Sequence, residues 1–303
     1  MSILEKALSH SKKRGMDECE IVTVEKKTTT VRITDSEIVE IKQNFDKKYG
    51  IRIIHQKKIV SIQTTDSQNI EKDIDNIFET ISNFKPREFW KGLPYKVSAR
   101  KIEGTFDDRL EEISGKNSMD IAQSMINSAD NEKINTITGS LNIVSEDFQL
   151  RNSQGLEFDD KATYVSGIIN AESEQGNIPV SGIGHASGRT LSNFSKEQIG
   201  EDAKIMCIES INPQKIESDT YPIIFEPYSV GELLAFVVAS NFNFKTFTEK
   251  KSCFSNKLKE EIGIKEFNLI DDPYAPEGIG TKSVDDEGVE TQKKYLVEKG
   301  VFK

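Results

Sequence analysis

The chain has 303 residues, 36% of them hydrophobic and 30% charged, with a formal net charge of −10 at pH 7. That length allows about two domains with cores of their own. The acidic balance argues against direct nucleic-acid binding, because a phosphate-binding face needs several Lys or Arg on one surface. The densest basic stretches, Lys12-Lys13-Arg14 and Lys47-Lys48, are short and lie beside acids, as solvated helix ends and turns do.

Cys19, Cys207 and Cys253 are far apart and form no CxxC pair. Such usage is expected of a reducing compartment with free thiols. The first fifteen residues carry charges throughout and no apolar signal core. The longest strongly apolar run, residues 233–239, is too short to span a bilayer. The expectation is a soluble, cytoplasmic protein that contacts neither membrane nor nucleic acid.

Ile3, Leu4, Ala7 and Leu8 repeat at helical spacing, with Gly15 as the stop. From Glu18 the period becomes two, through Ile21/Val22/Val24, Val31/Ile33, Ile38/Val39/Ile41, Ile51/Ile53/Ile54 and Ile59/Val60/Ile62. Turns are predicted at Asp35-Ser36 and Asp46-Lys47-Lys48, giving an antiparallel meander with one buried and one wet face. Ile70, Ile74, Ile77, Phe78, Ile81 and Phe84 then share one helical stripe. Helix, meander and helix make a compact α+β domain over residues 1–88.

Residues 89–116 read as a connector, punctuated by Gly92, Pro94 and Gly104, with the Phe89-Trp90 pair as an anchor to a domain surface. Beyond it, residues 117–303 form a larger mixed region with an antiparallel sheet. Ser118 is the predicted N-cap of a helix carrying Ile121, Ala122, Met125, Ile126 and Ala129. Strands are predicted over 134–144, 148–152, 156–171 and 178–189, then a helix carrying Ile199, Ala203, Met206 and Cys207. Cys207 falls on that stripe as a packing thiol. A strand is expected at 221–225. A buried helix over 233–239 follows, opened by Ser229 with Glu232 completing a capping box. Residues 295–297 are the last strand signal.

Complete catalytic motifs are missing. His10, His55 and His185 have no partner at zinc-site spacing, and HExxH, GxSxG and GxxxxGK[ST] do not occur. The GxG of Gly182-Ile183-Gly184 is a weak signal, and the adjoining His185 reads as a hydrogen-bonded turn histidine. The acidic clusters Asp271-Asp272 and Asp285-Asp286-Glu287 have the carboxylates a hard cation takes. Their Pro and Gly neighbours favour plain turn chemistry instead.

Four segments, in order and at matching spacing over nearly the whole chain, resemble one family, TldD/PmbA, whose members are also called modulators of DNA gyrase. Asn152-Ser153-Gln154-Gly155 resembles its N-S-x-G segment, and residues 229–243 occupy its central helix. Asp271-Asp272-Pro273 resembles its V-D-D-P segment. Asp285-Asp286-Glu287-Gly288, followed by Thr291-Gln292-Lys293, resembles its F-D-D-E-G segment.

The resemblance implies a role in peptide degradation. In the TldD branch the central helix carries HExxxH, two His binding zinc and the Glu acting as general base. The matching positions here are Ala235, Phe236 and Ser240, so autonomous zinc hydrolysis is not expected, and no cofactor is expected in this chain. The pattern fits the PmbA/TldE branch, which lacks the zinc helix and is implied to pair with a zinc-bearing TldD-like subunit, the pair acting on unfolded peptides. Two alternatives remain open at this point. One is a divergent metallopeptidase built on His185 with the acidic clusters; the other is a non-proteolytic regulator that binds protein. Family members also continue past the segment matching Val301-Phe302-Lys303 into a further β-rich portion, so the fold is expected to be α+β and cut short at its carboxyl end.

Overall fold

The computed structural model describes residues 2–95, 97 and 99–303. The expected α+β class is found: helices with antiparallel sheets. The chain divides into two compact units. One runs up to Pro213 and includes Tyr274–Thr291; the other comprises Gln214–Pro273 and Gln292–Lys303.

In the first unit, α1 (Ile3–Lys13) precedes the strands β1 (Glu18–Thr34), β2 (Glu37–His55) and β3 (Lys58–Thr64), followed by α2 (Ile70–Thr80). A short α3 (Asp108–Glu111) and the longer α4 (Gly115–Ala129) lead into β4 (Thr136–Asn152), β5 (Glu157–Ser173) and β6 (Val180–Gly188), and α5 (Lys196–Glu209) follows. The strands form one antiparallel sheet in the order β3-β2-β1-β4-β5-β6. Strands from residues 1–88 and from the region beyond 116 therefore share ladder hydrogen bonds through β1 and β4.

The strands β1, β2, β4 and β5 run 17 to 19 residues, well beyond the usual length. One face of this long sheet is covered at both ends. Leu4, Ala7, Ile70, Ile74 and Ile77 from α1 and α2 pack on Ile21, Ile51 and Ile53. Towards the other end, Ala122, Met125, Ile199 and Ala203 from α4 and α5 pack on Val31, Ile33, Leu141 and Val165. The opposite face carries a smaller cluster of Phe148, Leu150 and Leu156 with Val22 and Val24.

Several sequence expectations are met. The α2 stripe is buried at Ile70, Ile74, Ile77 and Ile81, while Phe84, past the helix end, is exposed. The Asp35-Ser36 turn closes the β1–β2 hairpin with both residues at positive φ, and Cys207 is a fully buried packing thiol. Others are corrected. Asp46-Lys47-Lys48 is no turn: it lies within β2, opposite Lys26, Glu25 and Val24. This stretch of the ribbon is exposed on both sides, and cross-strand pairing such as Lys47 with Glu25 replaces burial as the local stabiliser. The α4 helix starts at Gly115, capped by Ser114, whose hydroxyl accepts from Asn117 N at 3.1 Å. Ser118 is buried within it and donates to Gly115 O.

The second unit holds α6 (Pro227–Glu232), which continues through a π-helical stretch to Val238 and a 3-10 turn to Phe242. The short α7 (Phe244–Thr248) follows. A small sheet contains β7 (Leu269–Asp271), β8 (Lys294–Glu298) and β9 (Val301–Phe302). Phe302 sits among Phe242, Phe247 and Phe254, with ring centroids 5.5–5.9 Å away. Pro227 occupies the first turn, where its fixed φ suits a helix start. The helix therefore begins before Ser229, and the expected capping box does not form. Residues 221–225 have no regular structure. The apolar helix is not buried: Phe236 is 82% exposed, and Ile223, Ile224, Val237 and Phe244 are exposed as well. A run of apolar side chains records a preference for cover without fixing what supplies it.

Candidate functional site

The sequence-singled segments 152–155 and 285–288 are built on one design. Asn152 Oδ1 accepts from Gln154 N (2.9 Å) and Leu156 N (3.1 Å), while Gly155 takes φ +89°. Asp285 Oδ1 accepts from Glu287 N and Val289 N, both at 2.9 Å, while Gly288 takes φ +78°. In each loop a short side chain caps the amides two and four residues on, and a glycine three residues on makes the left-handed bend. The loops pack together: a Cβ on Gly288 would lie 2.4 Å from Leu156 Cδ2.

Both loops meet the start of β1. Ser153 N donates to Cys19 O (2.8 Å) and Ser153 Oγ accepts from Cys19 N (3.0 Å). Asn152 Nδ2 donates to Pro94 O at 2.8 Å, which ties in the connector. Asn152 is 3% exposed. Asn152→Ala would strand two amides and a carbonyl, an expected loss of about 2–3 kcal/mol, measurable as a fall in the urea midpoint. An unchanged midpoint would show that the loop does not depend on this side chain.

Glu18, Glu20 and Arg52, which carried no sequence signal, complete the site together with the anchor Trp90. Arg52 on β2 donates through one terminal nitrogen to Glu20 Oε1 and through the other to Glu287 Oε1, both at 2.7 Å. Its guanidinium carbon lies 5.8 Å from the centre of the Trp90 ring, and Trp90 Nε1 donates to Glu18 Oε2 at 2.7 Å. Glu18 Oε1 accepts from Leu93 N and Gln154 Nε2. Trp90 thus anchors the connector to the sheet, while Phe89 is exposed. Glu20 is 4% exposed, and its Oε2, like Arg52 Nε, is buried without a hydrogen-bond partner. Burial pushes the Glu20 carboxyl up to about 7; Arg52 pulls it down, while Glu287 and Asp285 push it up. Burial likewise raises the Cys19 thiol to about 11, leaving it unreactive at neutral pH. The cluster is a carboxyl poised near neutrality but shut away from solvent, with no nucleophile beside it, so it works as a clamp that seats the 285–288 loop on the sheet.

The remaining singled-out residues lie elsewhere. Asp271 and Asp272 belong to the second unit, where they pair with Lys294 (3.2 Å) and Lys293 (2.6 Å). Asp286 pairs with Lys282 at 2.5 Å. His185 lies on β6 opposite Ile168, which pairs with Ser140 on β4. Glu20 pairs with Asn152, twelve positions along the same strand, about 40 Å at the rise of a β-strand. His185 and the 285–287 loop therefore do not meet. Among the described residues no three His, Cys, Asp or Glu side chains could hold a metal ion. Ala235, Phe236 and Ser240 offer neither an imidazole nor a carboxylate, so the central helix does not fit a zinc ion. No helix of the described residues is long and apolar enough to cross a membrane.

Residues 19–83 match a domain described as PmbA/TldA metallopeptidase domain 1, and residues 218–303 match the PmbA/TldA metallopeptidase C-terminal domain. An uncharacterised protein of Methanocaldococcus jannaschii, MJ0231, is 24% identical over 303 residues, covering 99% of this chain and 69% of that protein. Metalloprotease MJ0996 of the same organism is 23% identical over 290 residues, covering 91% of this chain and 62% of that protein. The crystal structure of TldE from Thermococcus kodakarensis superimposes with a TM-score of 0.90 at 21% identity, covering 100% of this chain and 69% of that one. The chain thus spans between 62% and 69% of the length of these proteins. With both domain matches in order along one chain, the fold shared with TldE, and a metalloprotease among its relatives, this chain belongs to the TldD/PmbA family.

Proposed function

We propose that the chain is the non-catalytic, PmbA/TldE-like subunit of a peptide-degrading metallopeptidase, pairing with a TldD-like subunit that supplies the zinc. The observation that carries this reading is the occupancy of the three motif positions on the central helix by Ala235, Phe236 and Ser240. Neither an alanine methyl nor a phenyl ring has a metal-binding atom, and a neutral hydroxyl is a poor zinc ligand. The exposed apolar surface around Phe236, Val237 and Phe244 supports a partner-covered helix, since exposed apolar patches of this kind mark interaction surfaces.

Elemental mass spectrometry on the purified chain, with no added metal, is expected to find zinc well below one ion per chain. Hydrolysis of an unstructured peptide is expected only when a TldD-like protein from the same source is added. One bound zinc together with hydrolysis by the chain alone would overturn the proposal.

A further inference from the structure

The outer strand β6 pairs only with residues Val165–Ser173 of β5. From Glu157 to Tyr164, β5 therefore has β4 on one side and, among the described residues, no strand on the other. One hydrogen bond gives the backbone direction there: Thr163 N donates outward to Thr105 O at 3.0 Å. In an antiparallel strand a residue's N–H and C=O point the same way and alternate residues point opposite ways. Asp159 and Lys161 consequently turn their backbone groups to the open side as well. The Asp160 carboxylate lies beside the Lys161 amide, and among the described residues no strand takes the Asp159 N–H or either carbonyl. This edge helps to enclose a cavity of about 340 Å³ whose other walls come from residues 99–105 and 281–283.

The charge in this cavity does not cancel. Asp159 is held by Arg151 through two bonds of 2.7 and 2.8 Å, and burial raises the Asp160 carboxyl while Lys282 and Arg189 pull it back down. Arg100 and Lys101 have no carboxylate within ion-pair distance among the described residues; Arg100 lies over the Tyr274 ring at 5.2 Å. Behind Thr105, Arg189 is 1% exposed and donates only to carbonyls: Thr105 O at 3.1 and 3.3 Å, and Ile279 O at 2.8 Å. A buried guanidinium that makes no direct ion pair among the described residues adds to the positive potential.

An open strand edge offers a peptide main-chain bonds without regard to sequence, and uncompensated cations beside it select an anionic group. The geometry points to a binding site for the carboxyl-terminal end of an extended peptide, which adds to the free edge of β5 and sets its terminal carboxylate against Arg100 and Lys101. This deepens the peptide-degradation reading by naming the end of the peptide that this chain holds. It is tested on the chain alone, so its outcome is independent of any zinc-bearing partner.

The probe is an N-terminally fluorescein-labelled Ala-Val-Thr-Val-Ala, with a free carboxylate or as the amide, followed by anisotropy. The acid is expected to bind about tenfold tighter than the amide. The R100A/K101A variant, altered at two exposed positions, should bind both forms equally weakly, and methylation of alternate backbone nitrogens should weaken the acid. Equal binding of acid and amide, or an undiminished preference in the variant, would overturn the proposal. So would displacement by acetate as effective as by the unlabelled peptide, which would make the cavity an anion site only.

Discussion

Gly184→Ala is expected to unfold the protein at a markedly lower temperature, by about 3 kcal/mol or more. The cause is a contact between two backbones. An added Cβ on Gly184 would lie 1.9 Å from Ile199 O and 2.8 Å from Ala203 N of α5. Two residues away, a Cβ on Gly182 would lie 2.2 Å from Cys207 N and 2.3 Å from Ala203 O. Alternate residues of β6 face α5, and positions 199, 203 and 207 are successive turns of that helix, so the two glycines form a flat track on which the helix backbone rests. No rotamer change relieves a clash with backbone. The helix must lift, and Ile199, Ala203 and Cys207 then lose their packing on the sheet. Gly50→Ala serves as the control. It is also within the sheet, and its added Cβ would meet only Val22 Cβ at an ordinary 3.9 Å. Its stability should change by less than about 0.5 kcal/mol or rise slightly, because alanine costs less backbone entropy. Thermal unfolding followed by circular dichroism separates the two. Equal melting temperatures for both variants would show that α5 does not rest on Gly184.

That pair of glycines also shows where sequence reading stopped. The Gly182-Ile183-Gly184 spacing is visible in the sequence, and close backbone approach is the right physical idea. The approaching backbone is a helix rather than a ligand, and the sequence does not say which. Elements with a single buried face were legible: the α2 stripe at Ile70, Ile74 and Ile77, and the Asp35-Ser36 hairpin turn. Where the long ribbon leaves the helices' cover, alternation fades and charged residues occupy both faces. Asp46-Lys47-Lys48 then looks like a turn although it runs in register along β1. In the site, the resemblance marked Asn152, Gly155, Asp285 and Gly288, and these are the residues that shape the two loops. Glu20 and Arg52 carried no mark. Glu20 lies in a strand start where Cys19, Glu20 and Ile21 are all buried, and Arg52 reaches it only through strand register. Glu287 lies 235 residues further along the chain from Arg52, beyond any local pattern.

Removal of the Arg52 guanidinium is expected to destabilise the protein by an amount that grows with pH. In the wild type, the Glu20 carboxyl titrates near 7 in the folded chain, against an ordinary value of 4.5. The folded state therefore holds a proton that the unfolded chain releases as pH rises through 4.5. The stability contributed by protonated Glu20 is complete below that point and is lost as pH climbs to about 7, a decline on the order of 3 kcal/mol. Arg52 is among the influences that keep this decline small, because its pairing with Glu20 favours the charged form. Arg52→Ala removes that counterweight. At pH 5, where Glu20 is neutral in the fold, the loss should be about 1 kcal/mol for hydrogen bonds and packing on Trp90. At pH 8 a buried carboxyl faces Glu287 and Asp285 with no cation between, and the loss should approach about 3 kcal/mol. Glu20→Gln has no proton to lose, so this decline should be absent from its stability between pH 4.5 and 7. Combined with Arg52→Ala, it should remove the pH-dependent part of that variant's loss. Urea unfolding of the wild type, both single variants and the double variant at pH 5 and pH 8 measures all of this. The same loss for Arg52→Ala at both pH values would mean that Glu20 stays ionised in the fold, and that the clamp on the 285–288 loop is an ordinary ion pair.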